Sequence, residues 1–161
     1  MMGSGKSTVG RGVAERLGRP LLDSDEMVEA RTGRTVREIF EDEGEAAFRV
    51  EETRALAEAL GRSEPVVVAA AGGVVLDAGN RRLLDGAFVV WLDARPDDLV
   101  DRVEAGDHRP LLGDDPRAAL RRLDAARRPL YEAVADEVVE VGSRPVDAVV
   151  ADVLALVSAP R

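Results

Sequence analysis

The chain has 161 residues, of which 45% are hydrophobic and 33% are charged, and its net charge is −9 at neutral pH. The length fits one folded domain, and the composition excludes disordered tails, collagen and coiled coils. The absence of cysteine excludes disulfide scaffolds and thiolate zinc sites, and a single histidine argues against histidine triads. The acidic charge disfavours nucleic-acid binding. Because no apolar run has spanning length and no secretory signal is evident, we expect a cytoplasmic protein without a membrane or nucleic-acid partner.

Short β-branched runs alternate with longer stretches of helical period, a pattern typical of parallel strands joined by crossover helices. The sequence predicts strands over 20–22, 66–70, 88–92 and 138–141. It predicts helices over 6–17, 25–60 with a break at Gly33, 97–105, 116–134 and 145–157. No repeat or linker is visible, so we expect a single α/β domain over 1–161. We also expect a monomer, because the sequence shows no exposed heptad and no long apolar patch.

The strongest local signal is a glycine-rich segment that opens directly into the first predicted helix: Gly3, Ser4, Gly5, Lys6, Ser7 and Thr8. In such a phosphate loop the glycines let backbone N–H groups point at phosphate oxygens, and the helix N-terminus adds partial positive charge. Lys6 is placed to reach the β- and γ-phosphates, and the Ser7 hydroxyl is placed to bind Mg²⁺. The segment predicts binding of a nucleoside triphosphate such as ATP.

The full phosphate-loop pattern begins with another glycine, five residues before Gly5, and follows a buried strand. Both would fall upstream of Met1. Losing about six apolar core residues removes on the order of 10 kcal/mol, comparable with the net stability of a domain. We therefore expect the chain as written to be poorly folded and hypothesise that the true start lies upstream. The alternative is a complete sequence whose product is unstable or inactive.

The chain resembles the shikimate kinase family over essentially its whole length. Six motifs carry the resemblance in the same order: Met2 to Gly10, Leu22-Asp23-Ser24-Asp25, Phe40 with Gly44-Glu45, Phe48-Arg49 and Glu52, Ala71-Gly72-Gly73, Arg109-Pro110-Leu111-Leu112, and Arg127 with Pro129-Leu130-Tyr131. One departure is Ala71, where the family has the first of three glycines. A methyl group there is tolerable if φ is negative and crowds the substrate pocket if it is not.

The resemblance implies a P-loop NTPase-like three-layer αβα sandwich with a central parallel sheet, whose first, central strand is missing from this chain. It implies substrate-binding helices over about 24–60 and a lid over about 106–116. The implied reaction is ATP-dependent phosphorylation of the 3-hydroxyl of shikimate, on the route to chorismate and the aromatic amino acids.

The resemblance also implies roles for individual residues. Arg49 and Arg127 would bind the shikimate carboxylate, with Glu52 holding the Arg49 guanidinium in place. Asp25 would accept a hydrogen bond from the reacting hydroxyl and act as base or orienter. Gly72 and Gly73 would line the same pocket, where a side chain would block close contact.

On the nucleotide side, Asp23 would bind Mg²⁺ through water beside Ser7. Lys6 and the lid residue Arg109 would neutralise charge on the transferred phosphoryl group. Arg102 and Arg144 would lie near the adenine, where a guanidinium plane can stack on the base.

Other interpretations stay open. Asp23 and Asp25 could simply cap the following helix, Arg49 with its neighbouring glutamates could form a solvated helix face, and Arg127 could belong to a charged helix surface. The function could be that of another small-molecule P-loop kinase, such as one resembling gluconate kinase, or of a nucleotide-binding module without catalysis.

Overall fold

The computed structural model describes residues 3–104 and 115–159, and for residues 101–104 it describes the backbone only. Eight α-helices occur in these ranges: α1 (Lys6–Leu17), α2 (Ser24–Thr32), α3 (Val36–Asp42), α4 (Gly44–Leu60), α5 (Ala78–Leu84), α6 (Pro96–Glu104), α7 (Pro116–Val134) and α8 (Val146–Ser158). No helix in these ranges is long and apolar enough to cross a bilayer. Of the predicted lid over 106–116, residues 106–114, which include Arg109, lie outside the described residues, and residues 115 and 116 form the start of α7.

Four strands occur where the sequence predicts them, within two residues at each end: β1 (Leu21–Asp23), β2 (Val67–Ala69), β3 (Val90–Asp93) and β4 (Glu137–Glu140). They form two parallel pairs. β1 pairs with β2, with Leu21 opposite Val67, and β3 pairs with β4, with Val90 opposite Glu137. Parallel pairing through crossover helices is the predicted α/β architecture. Within the described residues no strand joins β2 to β3, where a continuous sheet would need one.

The predicted helical segment over 25–60 is divided into three helices, so the prediction of one break is incomplete. Gly33 ends α2 with a φ of 68°, as expected, but Gly44 introduces a second break with a φ of 85°. Both values are left-handed and favour glycine. Between them Thr35 and Glu38 form a capping box that starts α3. The sequence pattern Thr-x-x-Glu was a signal for this start.

Two short elements were missed, a 3-10 helix over Val74–Leu76 and α5. The Asp77 side chain caps α5 by accepting a hydrogen bond from the backbone N–H of Asn80. An aspartate directly before a helical segment is a local signal of this kind of helix start.

The core has two parts. The larger packs α1, α4, α7 and α8 against the strands, through residues such as Val13, Leu56, Leu120 and Val150. The smaller lies among α2, α3 and α4: Val28, Ile39, Phe48 and Ala55. α4 contributes to both and thereby fixes the three-helix segment, which carries Arg49, against the rest of the molecule.

Close packing of α1 against α8 predicts that Gly12→Val destabilises the protein. A Cβ at Gly12 would lie 2.9 Å from Cγ2 of Val150, and valine is stiff at χ1, so the helices must move apart. We expect the free energy of unfolding to fall by about 1–3 kcal/mol, the usual cost of overpacking. Urea denaturation measures it. Glu15→Val, on the exposed face of the same helix, is the matched control and should change stability by less than about 0.5 kcal/mol; equal losses in both variants would contradict this packing account.

Candidate active site

The phosphate loop leads into α1 with the backbone geometry that its glycines allow. Gly3 and Gly5 have φ values of 74° and 84°, and α1 begins immediately after Gly5. Ser4 between them is buried, with 2% of its surface exposed. Lys6, Ser7 and Thr8 form the first turn of the helix, where unpaired backbone N–H groups attract anions. All six predicted loop residues therefore lie together at the helix N-terminus.

The two predicted metal ligands lie side by side. The Ser7 hydroxyl donates to Oδ2 of Asp23 at 2.6 Å, and Asp23 is 5% exposed. Its other oxygen, Oδ1, accepts from the backbone N–H of Asp25 at 3.0 Å and caps α2, so the helix-cap interpretation of Asp23 also holds. A hydroxyl and a carboxylate are oxygen donors of the kind that Mg²⁺ takes while keeping several waters. The residues present therefore fit that ion.

Asp25 lies opposite Lys6. Its Oδ2 is 3.5 Å from the Lys6 Nζ, and both side chains are half-buried. Burial raises the pKa of Asp25 and outweighs the opposing effect of Lys6, so the pKa lies above the ordinary aspartate value. A carboxyl held in this way is a better proton acceptor when ionised than a fully solvated one. Asp25 points to the phosphate loop and does not act as a helix cap.

Arg49 on α4 is held by two carboxylates. Its Nη1 donates to both oxygens of Glu52, at 2.8 and 2.9 Å, and its Nε and Nη2 donate to Glu45. Glu52 is 1% exposed, and burial raises the pKa of its carboxyl above the ordinary value despite Arg49. Burial lowers the pKa of Arg49, but the two carboxylates outweigh it and raise the pKa overall. Glu52 is therefore part of the interior and Arg49 is half-buried, so this pair is not a solvated helix face.

The segment Ala71-Gly72-Gly73 lies against this arginine. A Cβ at Gly73 would be 1.8 Å from the Arg49 Nη1, so only glycine leaves room for the guanidinium. The segment is tied to α2 because the Ala71 N–H donates to the Ser24 hydroxyl at 2.9 Å. Ala71 is buried in the main core and, like every described non-glycine residue, lacks a positive φ, so its methyl group is accommodated.

Arg127 lies on α7, where its side chain is close to that of Tyr131. It is 3% exposed, which excludes the charged-surface interpretation; that interpretation fits Arg121, an exposed residue paired with Asp97. One turn later, the Tyr131 hydroxyl donates to the carbonyl oxygen of Gly72 at 2.7 Å. Burial raises the pKa of Glu52, and the positive charge of Arg127 opposes this effect, as does that of Arg49. Arg49 and Arg127, 78 positions apart in the sequence, thus both act on Glu52, and Arg127 lies one turn before the tyrosine that binds Gly72.

The structure describes the side chain of only one of the two arginines predicted to lie near the adenine, Arg144. Arg144 donates to the Glu140 carbonyl oxygen at 3.0 Å and pairs with Asp152 of α8 at 2.6 Å, so in this structure its guanidinium is bound within the protein. Arg102 lies in the last part of α6, residues 101–104, where the structure describes only the backbone. The contact of Arg102 with the adenine and that of Arg109 with the transferred phosphoryl group stay predictions.

Sequence reasoning missed Arg128, which anchors α7 to the sheet. Its guanidinium donates to both oxygens of Asp93 at the end of β3, at 2.8 and 3.0 Å, and also to Asp124. It lies over the Trp91 ring, 4.9 Å from the centroid. The i,i+4 spacing of Asp124 and Arg128 was a signal for half of this cluster. The bond to Asp93 had no local signal.

Comparison with known proteins gives one consistent result. A family model described as shikimate kinase matches residues 2–158. A shikimate kinase from Burkholderia pseudomallei is 49% identical over 156 residues, which cover 96% of this chain and 84% of the relative. A solved shikimate kinase from Acinetobacter baumannii, in complex with shikimate, is 40% identical and has a TM-score of 0.92, covering 97% of this chain and 88% of that one.

A solved gluconokinase from Sinorhizobium meliloti is 24% identical with a TM-score of 0.61, covering 96% of this chain and 86% of that one. That similarity shows a shared fold and nothing more. The shikimate kinases confirm the predicted fold class. The chain belongs to the shikimate kinase family.

Proposed function

We propose that this chain transfers the γ-phosphoryl group of ATP to the 3-hydroxyl of shikimate, on the route to the aromatic amino acids. The observation that carries the proposal is a pair of arginines, half-buried Arg49 and buried Arg127, whose charges both act on the buried carboxylate of Glu52, with Arg49 lying against Gly73. Two cations in an acidic chain, at a segment tied to the helix that carries Asp25, are suited to a small carboxylate with hydroxyl groups. The A. baumannii relative is described as a complex with shikimate.

Carboxylate binding would use guanidinium groups that are already oriented. Arg49 donates hydrogen bonds to Glu52 through Nη1 and to Glu45 through Nε and Nη2. The arginine side chain therefore loses little further conformational freedom when substrate binds. Arg127 is fixed by its position on α7, which is anchored through Arg128 and Tyr131. Bonds from guanidinium to carboxylate are charge-assisted and therefore stronger than neutral ones.

Phosphoryl transfer would use the groups around the phosphate loop. Lys6 would leave Asp25 for the β- and γ-phosphates, because these carry more negative charge than one carboxylate. Loss of the lysine then raises the pKa of Asp25 further, which favours proton transfer from the substrate hydroxyl as the new P–O bond forms. Asp25 is thus both an orienter in the ground state and a proton acceptor.

Mg²⁺ would be held by Ser7 and, through water, by Asp23. When bound, the ion neutralises charge on the transferred phosphoryl group. Arg109, Arg102 and Arg144 remain proposed nucleotide contacts. We also propose that residues 1–161 act as a single domain and a monomer in the cytoplasm, without nucleic-acid or membrane partners; the support is the net charge of −9 and the absence of cysteine.

The experiment that tests this function is a coupled ADP-release assay with shikimate and, separately, gluconate, in the presence of Mg²⁺. We expect ADP release with shikimate and none above background with gluconate, because only shikimate presents its carboxylate and 3-hydroxyl on a rigid ring. Turnover of gluconate alone would identify the other small-molecule kinase. ATP binding without turnover of either acid would identify an inactive nucleotide-binding module.

Asp25→Asn removes the proposed proton acceptor while keeping the shape of the side chain. We expect kcat for shikimate to fall by about 10²–10⁴-fold, the range for general acid–base groups, with KM for ATP little changed. Asp85→Asn, on an exposed residue at the end of α5, is the matched control and should retain full activity. A kcat within about twofold of the parent would exclude Asp25 from proton transfer.

The same variant has a stability signature. The pKa of Asp25 is higher in the folded than in the unfolded chain, so its contribution to stability is complete below the unfolded value, about 4, and is lost as pH rises through the folded value. We therefore expect Asp25→Asn to unfold at higher urea concentration than the parent at pH 7 and at equal concentration below about pH 4. A deficit at pH 7 would show that Lys6 outweighs burial.

Gly73→Ala tests the position of Arg49. The added Cβ would overlap the guanidinium and displace it, because its nearest atom would be only 1.8 Å away. We expect KM for shikimate to rise by about tenfold or more, with KM for ATP unchanged. Gly86→Ala is the matched control, since its added Cβ would make only an ordinary contact at 3.7 Å. Equal KM values for shikimate in both variants would contradict the placement of Arg49.

A further inference from the structure

Helix α7 carries Arg127 in a turn whose geometry the helix alone does not fix. Pro129 lies inside this helix. A proline has no N–H to donate to the carbonyl oxygen four residues earlier, that of Ala125, and its ring presses against the same carbonyl group. The turn that contains Arg127 therefore has less support from the helix backbone than the turns before it. Contacts with other elements set the direction in which the Arg127 side chain points.

Arg128, the next residue, supplies a contact with β3. Its Nη1 and Nη2 donate to the two carboxylate oxygens of Asp93 at 3.0 and 2.8 Å. Its Nε and Nη2 donate to the two oxygens of Asp124 at 3.1 and 3.2 Å. Asp93 is the last residue of β3, and Asp124 lies one turn earlier on α7. Two bidentate pairs fix a guanidinium group both in distance and in plane, which a lysine ammonium group cannot reproduce.

Trp91 extends the contact between α7 and β3. Side chains two residues apart on a strand point to one face, and here Trp91 and Asp93 both contact α7. The Arg128 guanidinium lies 4.9 Å from the centroid of the indole ring, and the Tyr131 ring lies 5.6 Å from it. Arg128 and Tyr131 are three residues apart and therefore neighbours on the helix surface. The position of α7 along β3 is thus set by a charged contact and an aromatic contact.

Tyr131 connects this contact to the acid-binding side. Its hydroxyl donates to the carbonyl oxygen of Gly72 at 2.7 Å, in the glycine segment that lies against Arg49. The Arg127 side chain is close to that of Tyr131. Burial raises the pKa of Glu52, and the charges of Arg49 and Arg127 oppose this effect. The position of α7 on β3 therefore determines how far Arg127 lies from Arg49 and Glu52.

We propose that Arg128 is a positioning residue for substrate binding: through its pair with Asp93 it holds Arg127 where Arg127 and Arg49 can bind one carboxylate. The inference rests on the proposed function, because the acid that the two arginines bind is taken to be shikimate. Arg128 itself would not contact the substrate, since its hydrogen bonds to Asp93 and Asp124 use most of its donors.

A purely structural role for Arg128 predicts a different result. Its side chain is 31% exposed, and a partly exposed ion pair can stabilise a fold without any effect on a binding site. Loss of stability lowers the fraction of folded enzyme, and so lowers the apparent kcat while KM stays the same. Displacement of Arg127 raises KM for shikimate and leaves KM for ATP unchanged. Steady-state kinetics therefore separates the two roles.

The first test compares Arg128→Gln with Arg121→Gln in the ADP-release assay. Arg121 lies on the same helix and pairs with Asp97 of α6, so its substitution removes an ion pair of α7 without changing the contact with β3. In Arg128→Gln we expect KM for shikimate to rise by about three- to tenfold, because a displacement of about 1 Å weakens the contact of a binding group. KM for ATP, and every constant of Arg121→Gln, should stay within about twofold of the parent.

Two further variants test the route of the effect. Arg128→Lys keeps the charge but loses the bidentate geometry, so its KM for shikimate should lie between those of the parent and Arg128→Gln. Arg128→Gln should cause no further rise of KM in the Arg127→Gln background, because it acts through Arg127. Asp93→Asn should give the same KM as Arg128→Gln, alone or combined with it, because each removes one half of the same pair.

The second measurement needs no substrate. NMR titration of the Glu52 carboxyl group in the full chain detects the position of Arg127, because burial and the charge of Asp25 raise the pKa of Glu52, whereas Arg49 and Arg127 lower it. We expect the pKa of Glu52 to rise in Arg127→Gln and to rise by a smaller amount in Arg128→Gln. In Arg121→Gln it should equal that of the parent.

The two measurements distinguish failure of this inference from failure of the proposed function. If the parent does not phosphorylate shikimate but the pKa of Glu52 rises in Arg128→Gln, the substrate is another acid and Arg128 still positions Arg127. If Arg127→Gln changes both KM for shikimate and the pKa of Glu52 while Arg128→Gln changes neither, the positioning role is overturned. Additive increases of KM in the double variant of Arg127 and Arg128 would also overturn it. If Arg128→Gln does not fold, Arg128→Lys decides the question by the same two readouts.

Discussion

The arrangement of the phosphate loop relative to α2 depends on two hydrogen bonds that the Asp23 carboxylate accepts. One oxygen takes the Ser7 hydroxyl of α1 and the other caps α2 through the Asp25 N–H, so a single buried group joins the phosphate loop, β1 and the next helix. A buried carboxylate must have its hydrogen bonds satisfied, and here its partners are Ser7 and Asp25, two residues of the proposed site of phosphoryl transfer. Asp25 is thereby held within reach of Lys6.

The acid-binding side is built on a second buried group, Glu52. The net charge of the chain is −9, so the long-range field repels an anionic substrate. Recognition must then come from local cations, and a cation in the interior must itself be neutralised. Glu52 meets this requirement for Arg49, while Gly73 leaves the space that the guanidinium occupies. The charge of each group makes the burial of the other tolerable.

How much could be predicted depends on the sequence distance between partners. α1 and α7 begin and end at the predicted residues, and the Arg49–Glu52 pair was expected, because caps and i,i+3 contacts are local. The break at Gly44 was missed because helical periodicity continues across it. The hydrogen bonds from Ala71 to Ser24 and from Arg128 to Asp93 join residues 47 and 35 positions apart, and no local pattern specifies such contacts.

We propose that Arg49 and Arg127 bind one carboxylate. Calorimetric titration of shikimate into the parent, Arg49→Gln, Arg127→Gln and the double variant tests this most directly. Hydrogen bonds to charged groups contribute about 1.5–3 kcal/mol, so each single variant should bind shikimate roughly ten- to a hundredfold more weakly. The double variant should lose less than the two single losses combined, because both arginines act on the same group. Full affinity in either single variant, or strictly additive losses, would show that the two arginines do not share the shikimate carboxylate.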